Sequence, residues 1–183
     1  MNDYSLKITA KIFVAFEDKL TDKILIEEFY QQSEERGKYF LKYGAGSLLL
    51  ESSGLKLIIE PEDIYYLLCN TLPLLIKTYI ENSYAIYDLW SKENYRLSME
   101  VNEIDDDFLA IREYNGWEND RISQEIGVKR DEFILKIYDV ITNFIPQYLA
   151  IKELKMDDYH KELLEFVGDY VEKIKNNCIS KLL

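Results

Sequence analysis

From Leu6 to Phe16 apolar and polar positions alternate. Leu6, Ile8, Ala10, Ile12, Val14 and Phe16 share one side, and Ser5, Lys7, Thr9 and Lys11 take the other. Period two with β-branched residues predicts a half-buried strand. The spacing then changes. Ile24, Leu25, Glu28, Phe29 and Gln32 recur at helical intervals, Thr21 suits an N-cap and Gly37 a stop, so a helix is expected over 21–36. The stretch KYFLKY-GAG-SLLLE-SSG-LKLIIE holds three apolar runs separated by glycine-containing turns, the pattern of a three-stranded antiparallel meander. Pro61 suits the first position of a helix running to about Asn82. That helix is apolar nearly all round, which predicts a central buried element, and Pro73 should kink it.

A second β region follows. Tyr84, Ile86 and Trp90 mark one strand; Tyr95, Leu97, Met99 and Val101 alternate with Arg96, Ser98, Glu100 and Asn102 in a second; Phe108 to Glu113 forms a third. The rest reads as helical: a short piece over 119–126, a long one from Lys129 to about Ala150 bent at Pro146, and a last one capped by Asp157 or Asp158. The last helix carries the stripe Tyr159, Leu163, Phe166, Val167, Tyr170, Ile174 and Cys178. The chain shows no internal repeat at a fixed period and no low-complexity linker. The expectation is one α+β domain over 1–183. An antiparallel sheet region of about six short strands with a buried central helix (1–115) packs against a C-terminal helical region (118–181).

Composition narrows the function. With 183 residues, 48% of them hydrophobic, the chain can bury a core without metals or disulfides. Cys69 and Cys178 both fall in apolar patterns and are expected to be reduced core thiols of a reducing compartment. The start MNDYSLKITAKIF lacks a basic n-region followed by an apolar run, and the most apolar segment (64–76) is too short to span a bilayer, so a soluble, cytoplasmic protein is expected. The net charge of −12 argues against nucleic-acid backbones and anionic membranes and favours a basic protein partner. The charge is uneven: from Glu81 to Glu125 twelve acidic residues face four basic ones, Lys92, Arg96, Arg112 and Arg121. The densest part is MEVNEIDDDF, where Glu100, Glu103, Asp105, Asp106 and Asp107 surround the turn expected between two antiparallel strands. Exposed carboxylates at a turn tip cost little to keep charged.

Catalytic and metal chemistry find little support. Consecutive aspartates in extended chain point to alternate sides, and IDDDF lacks the spacing and glycine of a calcium loop. His160 is the sole imidazole and the cysteines are far apart in sequence, so no zinc set forms; no metal and no cofactor are expected. No nucleophile elbow, phosphate loop, dinucleotide fingerprint or zincin helix occurs, and a carboxylate-only enzyme is the third-ranked reading. The segment NDRISQEIGVKRDEFILKIYD (119–139) resembles the helix-turn-helix of bacterial regulators. Gly127 takes the turn position, Ile122, Ile126, Val128 and Phe133 the apolar positions, and Ser123 the small one. The resemblance implies a regulator or adaptor as an alternative function. The match departs at Lys136 and places Asp131 and Glu132 where DNA contacts belong; a plain helix–Gly–helix corner is the simpler reading.

Tyrosine and tryptophan are enriched at interface centres because they bury large area at small rotamer cost. Acids beside such rings form a surface for a Lys/Arg-rich protein. The expected function is therefore a small acidic binding protein, most concretely an immunity-type inhibitor that occludes a basic toxin or effector, since bacterial toxin inhibitors are often small, acidic and free of motifs. Glu100, Glu103, Asp105, Asp106 and Asp107 would steer and pair charge, and Tyr114 and Trp117 would be the anchors.

Overall fold

The structure is a computed structural model. It describes residues 5–16, 19–25, 41–59, 61, 64–88, 95–101, 107–115, 121–152 and 156–180. The fold is α+β, with two four-stranded antiparallel sheets. In the first, β1 (Lys7–Phe16), β2 (Lys19–Leu25), β3 (Leu41–Ser52) and β4 (Leu55–Ile59) are ordered β2-β1-β3-β4. The alternation that predicted β1 holds: Leu6 is buried, and Ile8 and Ala10 pack against the core.

Two local expectations fail here. The helix expected from Thr21 begins instead as strand β2, with Val14 opposite Ile24 and Phe13 opposite Leu25; residues 26–36 lie outside the described residues. Pairing with β1 satisfies the backbone of both strands, and that gain overrides a weak helical spacing. The glycines of GAG are not a turn either. Gly44 and Gly46 lie within β3, opposite Val14 and Ile12, beside a register shift between Val14 and Phe16. Glycine inside a strand commonly marks such a bulge. The first expected run, from Leu41 on, and the second are thus one strand. The SSG turn does form: Ser53 and Gly54 take φ of 50° and 79°, the positive values a two-residue hairpin needs.

The central helix is as buried as its composition requires. It runs through α1 (Ile64–Tyr66), a π-helical turn (Leu67–Thr71) and α2 (Leu72–Asn82), and every side chain from Leu67 to Pro73 is buried. Pro73 has no N–H for the Cys69 carbonyl, and the wider π turn directly before it absorbs the mismatch. The helix stops at Ser83, left-handed at φ 58°, whose N–H donates to the Tyr79 carbonyl at 2.7 Å.

The second sheet is a meander of β5 (Tyr84–Asp88), β6 (Tyr95–Val101), β7 (Phe108–Asn115) and β8 (Arg121–Lys129). Strand β8 corrects the helix expected over 119–126 and with it the helix-turn-helix resemblance. Ile122, Ile126 and Gly127 pair with Tyr114, Ile111 and Ala110, and only then does α3 (Arg130–Lys152) begin. The described residues thus contain eight strands rather than about six, and the β-rich part extends to Lys129 rather than 115. Helix α4 (Asp158–Ser180) follows, with Leu163, Val167, Val171 and Ile174 buried. Tyr159 and Cys178 from its expected stripe are exposed, so Cys69 is a core thiol and Cys178 is not. At Gly168 a Cβ would come within 2.7 Å of the Tyr138 hydroxyl, which explains a glycine inside this helix.

Register and burial together expose a repeat without a fixed period. Leu48 and Leu50 stand opposite Ile59 and Leu57, as Leu109 and Ile111 stand opposite Val128 and Ile126, and a helix follows each hairpin. Moving Leu57, Ile59, Ile64, Leu68, Leu72, Leu75, Ile76 and Tyr79 along by the step from Leu57 to Ile126 lands on Ile126, Val128, Phe133, Ile137, Ile141, Phe144, Ile145 and Tyr148. All sixteen are buried. The step is shorter on the preceding strand (Leu50 to Ile111) because the second hairpin has the longer connection. Both hairpin–helix units contribute to one hydrophobic cluster.

Candidate protein-binding face

The inner side of the second sheet carries Ala85, Leu109, Ile111, Ile126 and Val128, all buried. Alternation assigns the remaining positions to an outer face with three cross-strand rows. Tyr84, Glu100, Ala110 and Gly127 form the first; Ile86, Ser98, Arg112 and Glu125 the second; Asp88, Arg96, Tyr114 and Ile122 the third. On this face Tyr84 is 47%, Ile122 42% and Ile86 38% exposed, and Tyr114 is half-buried. Scattered exposed apolar side chains need no explanation, but several on one sheet face suggest a docking surface.

A bulge helps assemble this row. Glu113 pairs with Gln124 and Tyr114 with Ile122, so Ser123 is an extra residue in β8. Without it, Ile122 would follow the inward parity of Gln124, Ile126 and Val128; with it, Ile122 stands opposite Tyr114. Re-aiming a side chain is a recurrent use of bulges. At the centre, Arg112 Nε donates to Glu125 Oε2 across the β7–β8 pair. That bond, supported by the Tyr114 hydroxyl, raises the Arg112 guanidinium above its ordinary value. No side chain rises from Gly127, and a Cβ there would meet nothing within 4 Å.

The predicted site residues divide. Glu100 belongs to the outer face by register, opposite Tyr84 and Ala110, and Tyr114 lies on it. Asp107 is exposed where the hairpin enters β7, and its carbonyl accepts the Arg130 N–H at 2.8 Å. Its carboxylate stands 3.8 Å from Arg130 Nη2, so part of the tip charge answers an arginine of the chain itself. Arg130 also donates to Asp131 at 2.9 Å and shares a hydrogen bond with the Tyr79 hydroxyl. Burial opposes its charge, but these partners outweigh it and raise its pKa. Glu103, Asp105, Asp106 and Trp117 lie outside the described residues. Asp107 and Tyr114 are not side by side. Asp107 precedes the first residue of β7 and Tyr114 is its penultimate one, ~24 Å apart at the rise of an extended strand.

The other candidates have structural roles. Asp157 accepts the His160 backbone N–H at 2.9 Å and contacts its Nδ1 at 2.7 Å, which makes it the cap of α4. Tyr65 stacks on Tyr148 with ring centroids 4.3 Å apart, and burial raises its hydroxyl pKa well above the ordinary value. Among the described residues no three His, Cys, Asp or Glu side chains converge as metal ligands, and no helix is long and apolar enough to cross a membrane. Sequence reasoning missed Ile86 and Ile122 as surface residues. YAIYD is apolar on both sides of the strand, so its pattern did not show that Ile86 faces outward, and the facing of Ile122 depends on the bulge.

Comparison of the chain with protein-family models, with curated proteins and with solved structures finds no match.

Proposed function

We propose that this chain is a small acidic protein-binding protein that docks a basic partner on the outer face of its second sheet, in its most concrete form an immunity-type inhibitor that occludes a basic toxin. The observation carrying this reading is the exposure of Tyr84, Ile86 and Ile122 on one face within the most acidic quarter of the chain. The apolar side chains supply area to bury, with Tyr114 as a half-buried ring among them. The carboxylates Glu103 and Asp105 to Asp107 would steer a basic partner, since such charge raises the rate of encounter more than it slows dissociation. The mechanism is steric: a bound inhibitor covers a cationic cleft and needs no catalytic step. The regulator reading loses its support, because the segment expected as the first helix of the helix-turn-helix is strand β8 and the turn glycine, Gly127, lies within that strand.

The test is co-expression with the product of an adjacent gene that carries a growth-arresting basic domain. Relief of growth arrest is expected from the wild type. Ile122→Asp is expected to lose it with an unchanged melting temperature, and Asp105–Asp107→Asn to slow association with a weaker salt dependence. Relief that survives Ile122→Asp removes the face from the reading, and no relief by the wild type removes the reading itself.

A further inference from the structure

The terminal strands of the two sheets differ in protection. Exposed sheet edges invite pairing with other chains, and proteins guard them with lysine, proline, bulges or cover. Strand β2 carries Lys19, Asp22 and Lys23 within seven residues. Strand β4 carries Lys56 and, like β3, lies against β8, so the inner flanks of the two sheets cover one another. Strand β5, YAIYD, has no lysine, arginine or proline. Its register with β6 runs unbroken from Tyr84 opposite Glu100 to Asp88 opposite Arg96. It is anchored from the inside, where Ala85 is buried against α2 and the Tyr87 hydroxyl meets Thr78 Oγ1 at 3.5 Å. Its outer positions Tyr84 and Ile86 are exposed. Among the described residues no strand pairs beyond it.

We propose that β5 is an augmentation edge on which an extended, lysine- or arginine-bearing segment of the partner adds as a fifth strand of the second sheet. In this mode main-chain hydrogen bonds give affinity, and alternate side chains of the guest lie over Tyr84 and Ile86. Charge selects the occupant. A second copy would bring two of the most acidic quarters together, whereas a basic segment is drawn to one. The inference rests on the docking reading above and specifies how the partner engages.

The test uses the whole chain and two short peptides of equal charge. One alternates lysine with valine; in the other, alternate valines are proline, which keeps the charge and removes backbone donors. The first peptide is expected to slow amide exchange within β5 about tenfold or more and to concentrate chemical-shift changes in residues 84–88, while the second does neither. Ile86→Lys, which installs the missing edge guard, is expected to abolish the protection. Equal responses to both peptides, or shifts confined to residues 103–107, overturn the proposal in favour of plain electrostatic attraction. Protection of β5 without peptide, rising with protein concentration, overturns it in favour of self-association. Relief of growth arrest without β5 protection by the peptide leaves the docking reading standing and removes the edge; protection without relief does the reverse.

Discussion

At the scale of single residues, capping was the clearest signal. Aspartates directly before an apolar stripe predicted the start of the last helix, and Asp157 holds the third residue beyond it through both backbone and ring. The His160 backbone N–H, then its side chain, hold the Asp157 carboxyl below its ordinary value. A depressed carboxylate pKa contributes stability that is present above the unfolded value, near pH ~4, and lost as pH falls through the folded value. Asp157→Ala is therefore expected to lower the melting temperature at neutral pH, with the gap to wild type closing as pH drops below ~4; calorimetry across pH measures both. A gap that persists at low pH would mean that the ionised carboxylate is not what caps the helix. Cys178 shows what a residue-level pattern leaves open. It continues the α4 spacing, yet it is exposed.

Elements divide by how much they depend on remote partners. The central helix was legible because an all-apolar surface must be buried wherever it sits. Strand β8 was not. Ile122, Ile126 and Val128 fit a helix–Gly–helix corner as well as a strand, and only the register with β7 distinguishes them. Gly127 makes the distinction measurable. It does not adopt a positive φ and has open space where a Cβ would lie. Gly127→Val is expected to leave stability unchanged or to raise it by up to ~1 kcal/mol, because a β-branched residue suits an extended site. A corner glycine in left-handed conformation would instead lose more than ~1 kcal/mol on the same change. Urea unfolding decides between them.

For the whole molecule, the repeated hairpin–helix unit shares one core rather than forming two. Leu75 and Phe144 occupy corresponding buried positions in the two units. Leu75→Ala is expected to cost ~2–5 kcal/mol and Phe144→Ala ~3–5 kcal/mol, each shifting a single transition seen alike by far- and near-ultraviolet circular dichroism. Two separated transitions in either variant would show that the halves unfold independently. The charge reading also belongs at this scale. The acidic quarter was visible as composition, but Asp107 carries an ion pair to Arg130 and stands at the far end of β7 from Tyr114.

Taken alone, the amino-acid sequence determined the α+β class, the burial of the helix around Pro73, strands β1, β6 and β7, and the acidic bias of the second β region. These follow from local periodicity and charge, which need no knowledge of neighbours. Tertiary structure alone decided that 21–25 and 121–129 are strands, that the glycines of GAG lie within one, that two units repeat with unequal spacing, and that Ile122 faces outward beside Tyr114. The physical reason is common to all of these: a strand is stabilised by backbone hydrogen bonds to a partner distant in the chain, and the register of that pairing, with its bulges, sets which way each side chain points.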